Sequence, residues 1–156
     1  MNRTLIDTRI WALALKVAYM TKSDPDYSLA DRAKSLVVDT LKKDRVLVSA
    51  QLMGEIYHVA TRRGIRLPSD DVVTYLNNLL EKDNVLFDIT GEETVKKAIE
   101  LSSKYNVHVW DFLVVLPFET AVDIIYTMDP HFQNPYFQKI AKLENPLGVW
   151  KVEGQR

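Results

Sequence analysis

With 156 residues the chain has the length of one ordinary domain, enough to bury a core unaided. Hydrophobic residues at 47% and charged residues at 26% exclude a disordered chain, and the absence of cysteine excludes disulfides, thiolate metal sites and a cysteine nucleophile. Three histidines (His58, His108, His131) argue against a histidine-rich zinc site, and a formal net charge of −1 removes any global attraction to nucleic acid, so a polyanion would need a local basic patch.

The first apolar run, TLID (4–7), reads as a buried strand ending on Asp7. Ile10, Leu13, Ala14 and Val17 then recur at the spacing of one helix face. That stretch is interrupted by Lys16 and too short to cross a bilayer, and no small-residue cleavage site follows, so neither an anchor nor a signal peptide is expected and a cytoplasmic location is the default. Leu29, Ala33, Val37 and Leu41 mark a second helix. RVLVS (45–49) is the next strand, followed by a helix from Gln51 to Arg63 capped by Ser49 and stopped at Gly64. Pro68 and Ser69 open a helix carrying Val72, Val73, Leu76 and Leu80. VLFDI (85–89) and DIIYT (123–127) are further strands, with helices over 91–104 and 109–119 between them. A short helix over 131–141 and an edge strand VWKV (149–152) complete the pattern. Continuous apolar runs imply strands buried on both faces, and their alternation with helices predicts a doubly wound α/β sandwich around a parallel sheet.

Four acids stand out. Asp7 and Asp129 fall at or just after strand ends, where open parallel sheets bind ligands, although either could simply cap the next helix. Glu55 falls inside the apolar stripe Leu52, Ile56 and Val59, where a carboxylate costs several kcal/mol unless it is paired, neutralised or bound to a cation. A salt bridge or a place at the stripe's edge would also explain it. Asp111, between Trp110 and Phe112, begins a helical pattern and suits a first-turn acid as well as a site carboxylate. With no cysteine and few histidines, a metal held by these groups would sit mostly on oxygen, pointing to Mg2+ or Mn2+.

TLIDT, QLMGEIYHVATRRG, YNVHVWDFLVV and IIYTMDPHF together resemble the signatures of PIN-domain nucleases, as does the later ENPLGVW. The resemblance covers nearly the whole chain. It implies a single three-layer α/β/α domain with a mainly parallel sheet and a metal-dependent ribonuclease similar to VapC-type toxins. Asp7, Glu55, Asp111 and Asp129 match the family's four acids in order, and Thr127 matches its buttressing hydroxyl. Asp7 and Asp111 are then the expected primary metal ligands. An RNA substrate, an antitoxin protein partner and a homodimer come with the family. Arg9 replaces the usual Asn or Ser two residues after the first acid, and Pro117 interrupts a helix that is usually alanine-rich.

A basic rim for RNA would draw on Arg9, Arg45, Arg62, Arg63 and Arg66, with Trp110 or Tyr126 stacking on bases. For Arg62 and Arg63 a cationic last helical turn is the simpler reading. His131 could touch phosphate or face solvent. The rival readings are a PIN-like protein that binds RNA or protein without cutting, and a partner module dimerising through Leu79–Leu80 or Tyr136–Phe137.

Overall fold

A computed structural model describes residues 1–151. Five parallel strands form one sheet: β1 (Arg3–Ile6), β2 (Arg45–Ser49), β3 (Val85–Asp88), β4 (Ile124–Tyr126) and β5 (Lys142–Glu144). Their spatial order is β3-β2-β1-β4-β5. The chain therefore builds outward from β1 in one direction, crosses back after β3, and builds outward again from β4. The place where that direction reverses lies between β1 and β4, and the carboxyl end of such a switch point is where a doubly wound sheet leaves a crevice.

Seven helices form the layers on the sheet's two faces: α1 (Thr8–Lys16), α2 (Tyr27–Lys43), α3 (Ala50–Arg62), α4 (Ser69–Leu80), α5 (Glu92–Tyr105), α6 (Val109–Val115) and α7 (Pro135–Ile140). The three-layer α/β/α architecture agrees with the expectation from sequence. The central strands are buried on both faces, with Thr4, Leu5 and Ile6 of β1 and Val46, Leu47 and Val48 of β2 each fully enclosed. Ile10 and Trp11 pack α1 into the core, and Leu52, Ile56 and Ala60 do the same for α3.

Local chemistry sets the helix ends. Ser49 caps α3 by accepting a hydrogen bond from Leu52 N at 3.2 Å, as its position in the sequence predicts. Beyond the C-cap Arg63, Gly64 takes φ 52°, a left-handed backbone that glycine adopts without a steric cost. Pro117 ends α6 early: the chain tightens into a 3-10 turn at Leu116–Phe118 instead of continuing to residue 119. The helix expected over 131–141 is two pieces, a 3-10 turn at Pro130–Gln133 and α7, because Pro135 begins a new helix capped by Asn134.

Other expectations are corrected. The fifth strand is Lys142–Glu144, not VWKV: residues 149–151 form no strand, and Val152 lies outside the described residues. KLE is short and polar, so it carries no apolar run, and only pairing with β4 makes it a strand. VLFDI is not buried on both faces either. β3 is a sheet edge where only Val85 is buried, leaving Phe87 48% and Ile89 70% exposed. Of the apolar pairs Leu79–Leu80 and Tyr136–Phe137, Leu79 and Phe137 belong to the core, while Leu80 is 39% exposed.

α5, the turn after α6, and α7 meet at one carboxylate. Glu119 accepts from Lys97 Nζ at 2.9 and 2.8 Å and from Tyr136 Oη at 2.6 Å. Burial alone would raise the Glu119 carboxyl, but the hydrogen bonds from Lys97 and Tyr136 outweigh it and hold it below its ordinary value of 4.5. A depressed carboxylate stabilises the fold above that ordinary value and loses its contribution as the pH falls through the lower folded one. Tyr136→Phe should therefore cost about 0.5–1 kcal/mol in urea denaturation at neutral pH, discounted for partial exposure. The difference from wild type should shrink as the pH is lowered below the ordinary glutamate value.

Candidate active site

β1 and β4 deliver the first two acids to the switch point. The backbone N of Asp7 donates to Tyr126 O at 2.9 Å, extending the β1–β4 pairing by one residue and placing Asp7 opposite the end of β4. Its side chain then serves two elements. Oδ1 accepts from Thr8 N at 2.8 Å and caps α1, while Oδ2 accepts from Thr127 Oγ1 at 3.0 Å. Thr127 Oγ1 in turn accepts from Asp129 N at 3.0 Å. One buried hydroxyl therefore joins the strand-end acid to the loop acid. Asp129 Oδ1 accepts from His131 N at 2.9 Å, which caps the 3-10 turn and finishes the chain. Asp7 and Asp129 each cap a helical turn and also stand at the carboxyl end of the sheet, so capping does not compete with a place in the candidate site.

Asp111 enters from the first turn of α6 and is 1% exposed. Asp129 is equally enclosed and Asp7 is 5% exposed, so three carboxylates lie out of bulk water at one end of the sheet. Such a concentration of acid is costly without compensation. Asp111, Asp129 and His131 each bring a ligand-type atom within 4.8 Å of the other two. The imidazole Nδ1 of His131 stands 3.3 Å from Asp129 Oδ1 and 3.9 Å from Asp111 Oδ2.

Glu55 is placed differently from the sequence expectation. The buried stripe of α3 runs Leu52, Ile56, Ala60, while Val59 and Glu55 are half-buried at its edge. Glu55 Oε2 accepts from Gln51 Nε2 at 3.0 Å and Oε1 from Thr8 Oγ1 at 3.4 Å. Because Thr8 directly follows Asp7, this contact links Glu55 to the same end of β1. Thr8 and Gln51 are the positioning residues that sequence reasoning missed. Their signal was present, since Gln51 stands one helical turn before Glu55 and Thr8 closes the TLIDT segment.

Glu55 also lines a cavity of about 840 Å³ with Arg9, Gln51, Trp110, Lys16 and Arg63. Lys16 is 9% exposed and donates from Nζ to Arg63 O at 2.6 Å. Burial, reinforced by the neighbouring Arg9 charge, lowers its pKa. Of the expected basic rim, Arg9 and Arg63 reach this cleft, while Arg62 is exposed in the last turn of α3 and is not among the lining residues. Trp110 is 45% exposed at the cleft, beside Asp111 in sequence. Tyr126 is a half-buried sheet residue paired with Ile6, not a cleft residue. His131 faces the acids and not open solvent alone.

No protein-family model matches the sequence, and no curated relative matches it significantly. Among solved structures, the fold matches that of Mycobacterium tuberculosis VapC20, described as a toxin that cleaves the sarcin–ricin loop. The TM-score is 0.60 at 15% identity, over 83% of this chain and 92% of that one. The chain thus has a PIN/VapC-like fold. Among the described residues no helix is long and apolar enough to cross a membrane.

The shared hydroxyl gives the site a sharp test. Thr127→Val keeps the shape but leaves Asp7 Oδ2 without that donor and Asp129 N without that acceptor in a fully buried position. It should destabilise the protein by about 1–3 kcal/mol in chemical denaturation, whereas Thr127→Ser should recover most of the loss.

Proposed function

We propose that the protein is a divalent-metal-dependent endoribonuclease that hydrolyses RNA phosphodiester bonds, and that it acts as the toxin of a toxin–antitoxin pair. The observation that carries this reading is the convergence of Asp7, Asp111 and Asp129, buried together, at the switch point of a fold shared with a VapC toxin.

The donor set suits Mg2+ or Mn2+. Carboxylate oxygens of Asp111 and Asp129 lie close together on rigid elements, with Asp7 tied to Asp129 through Thr127. When bound, such an ion neutralises the acids, polarises the scissile phosphate and acidifies water. The chain's own residues do the rest. Asp7, Asp111 and Asp129 would hold the ion, with Thr127 fixing the orientation of Asp7. Glu55, half-buried on the cleft and held by Gln51 and Thr8, accepts the proton from the attacking water. Arg9 supplies a planar cation for the RNA phosphate on the same cleft, and Arg62 extends the basic rim from its exposed turn. The substitution of Arg9 at the family's polar position leaves the Asp7–Thr127–Asp129 chain intact, so the non-cutting alternative gains no support from it.

The partners in this reading are an RNA, an antitoxin protein and a second copy of the chain. The cleft beside the acids offers the antitoxin a concave surface with an apolar lining and cations. Homodimerisation would use apolar side chains such as Phe87 and Ile89, left exposed at the β3 edge.

The reading is tested by incubating purified protein with structured RNAs, including a sarcin–ricin loop oligonucleotide, in Mg2+ or Mn2+. Cleavage should occur, stop with chelator, and fall at least about a hundredfold in Asp111→Asn. Undiminished cleavage by Asp111→Asn, or cleavage indifferent to chelator, would sink the proposal.

A further inference from the structure

We infer that His131 is itself a metal ligand, so that an imidazole joins Asp111 and Asp129 in the proposed donor set and the site favours Mn2+ over Mg2+. This inference rests on the metal-site reading above and extends it to a residue outside the four acids.

The geometry is that of a donor shared with the acids. Ligand atoms bound at roughly 2.1 Å to one octahedral ion lie about 3.0 Å apart when adjacent and about 4.2 Å apart when opposite. His131 Nδ1 is 3.3 Å from Asp129 Oδ1 and 3.9 Å from Asp111 Oδ2, inside that interval for both. The three donors come from two elements whose positions are fixed independently. Asp111 is locked in the first turn of α6, while Asp129 and His131 are held in one 3-10 turn by the Asp129 Oδ1 acceptor and by Pro130 at its start. The edge of the His131 ring meets the His108 ring at a centroid distance of 5.5 Å and an interplanar angle of 72°, which restrains its rotation. The ring is 37% exposed, so its Nε2–H can be carried at the rim while Nδ1 turns inward with its lone pair.

The chemical consequence is selectivity. All-oxygen sets suit Mg2+, which binds imidazole poorly, whereas one imidazole nitrogen adds affinity for Mn2+ and still more for later divalent ions. The simpler interpretation of the same distances is that His131 pairs directly with Asp129 and Asp111 without binding metal. The two interpretations predict opposite results on metal binding.

The test compares the full chain with His131→Ala, His131→Gln, His108→Ala and Asp111→Asn, after circular dichroism confirms that each is folded. Mn2+ and Mg2+ are titrated calorimetrically, and the Mn2+-loaded proteins are read by pulsed electron paramagnetic resonance for nitrogen-14 coupling. Wild type should show the coupling of a directly bound imidazole. His131→Ala and His131→Gln should abolish it and weaken Mn2+ binding about tenfold or more, narrowing the Mn2+ to Mg2+ ratio. His108→Ala should retain the coupling. If wild type binds Mn2+ without nitrogen coupling, if the coupling disappears with His108 instead, or if the ratio survives loss of His131, the inference is overturned. Loss of Mn2+ binding in Asp111→Asn would still uphold the acidic site in any of those cases. Failure of wild type to bind Mn2+ would overturn both.

Discussion

The Asp7–Thr127–Asp129 hydrogen-bond chain is the constraint on which the site depends. β1 and β4 are neighbours in space but far apart in sequence, and the crossover between β3 and β4 is what makes them so. A parallel sheet leaves the carboxyl ends of such a pair diverging toward helices on opposite faces, with nothing between them but a crevice. Here the crevice is closed at its base by one hydroxyl that donates to the acid of one strand and accepts from the backbone of the loop after the other. The arrangement fixes where the acids stand before any ligand arrives. It also leaves Asp111, Asp129 and His131 facing one another above the same base.

The fold was largely legible because its central strands announce themselves. TLID and RVLVS are unbroken apolar runs bounded by helix starts, and both are buried on two faces as such runs imply. The failures lie at the sheet's edges. VLFDI has the same composition as a central strand yet lies at an edge with all its apolar side chains but Val85 exposed, because strand order, unlike strand existence, is not written in local hydrophobicity. KLE becomes β5 through pairing alone, and the apolar VWK segment ends up outside the sheet. Pro117 ends α6 early as its local steric effect predicts, whereas Pro135 starts a new helix inside the single one expected over 131–141.

The site was legible in a different way. Strand-end position placed Asp7 and Asp129 close to where the structure puts them. Glu55 attracted notice for an incorrect reason: Ala60, not Val59, continues the buried stripe, so Glu55 stands at the edge instead of inside it. Its link to Asp7 runs through Thr8, a tertiary contact that no spacing rule predicts. His131 was undervalued because its sequence neighbours say nothing of Asp111, which reaches it from α6. Arg62 and Arg63 look equivalent in sequence, and only the exit geometry of α3 turns Arg63 toward the cleft.

That exit also bears on charge. The net charge of −1 suggests a protein indifferent to polyanions, but the sum does not say where the charges lie. Carboxylates of Asp7, Asp111 and Asp129 are buried at the end of the sheet, while Arg9, Lys16 and Arg63 line the adjoining cleft between α1 and α3 together with Glu55, Asp24 and Asp26. Lys16 is the most costly of these cations, buried and beside Arg9, and its bond to the Arg63 carbonyl offsets part of that cost by satisfying the end of α3. The same contact ties α1 to the end of α3 along the cleft that Glu55 lines. The placement of charge, and not its total, decides what such a cleft presents to an ion in solution.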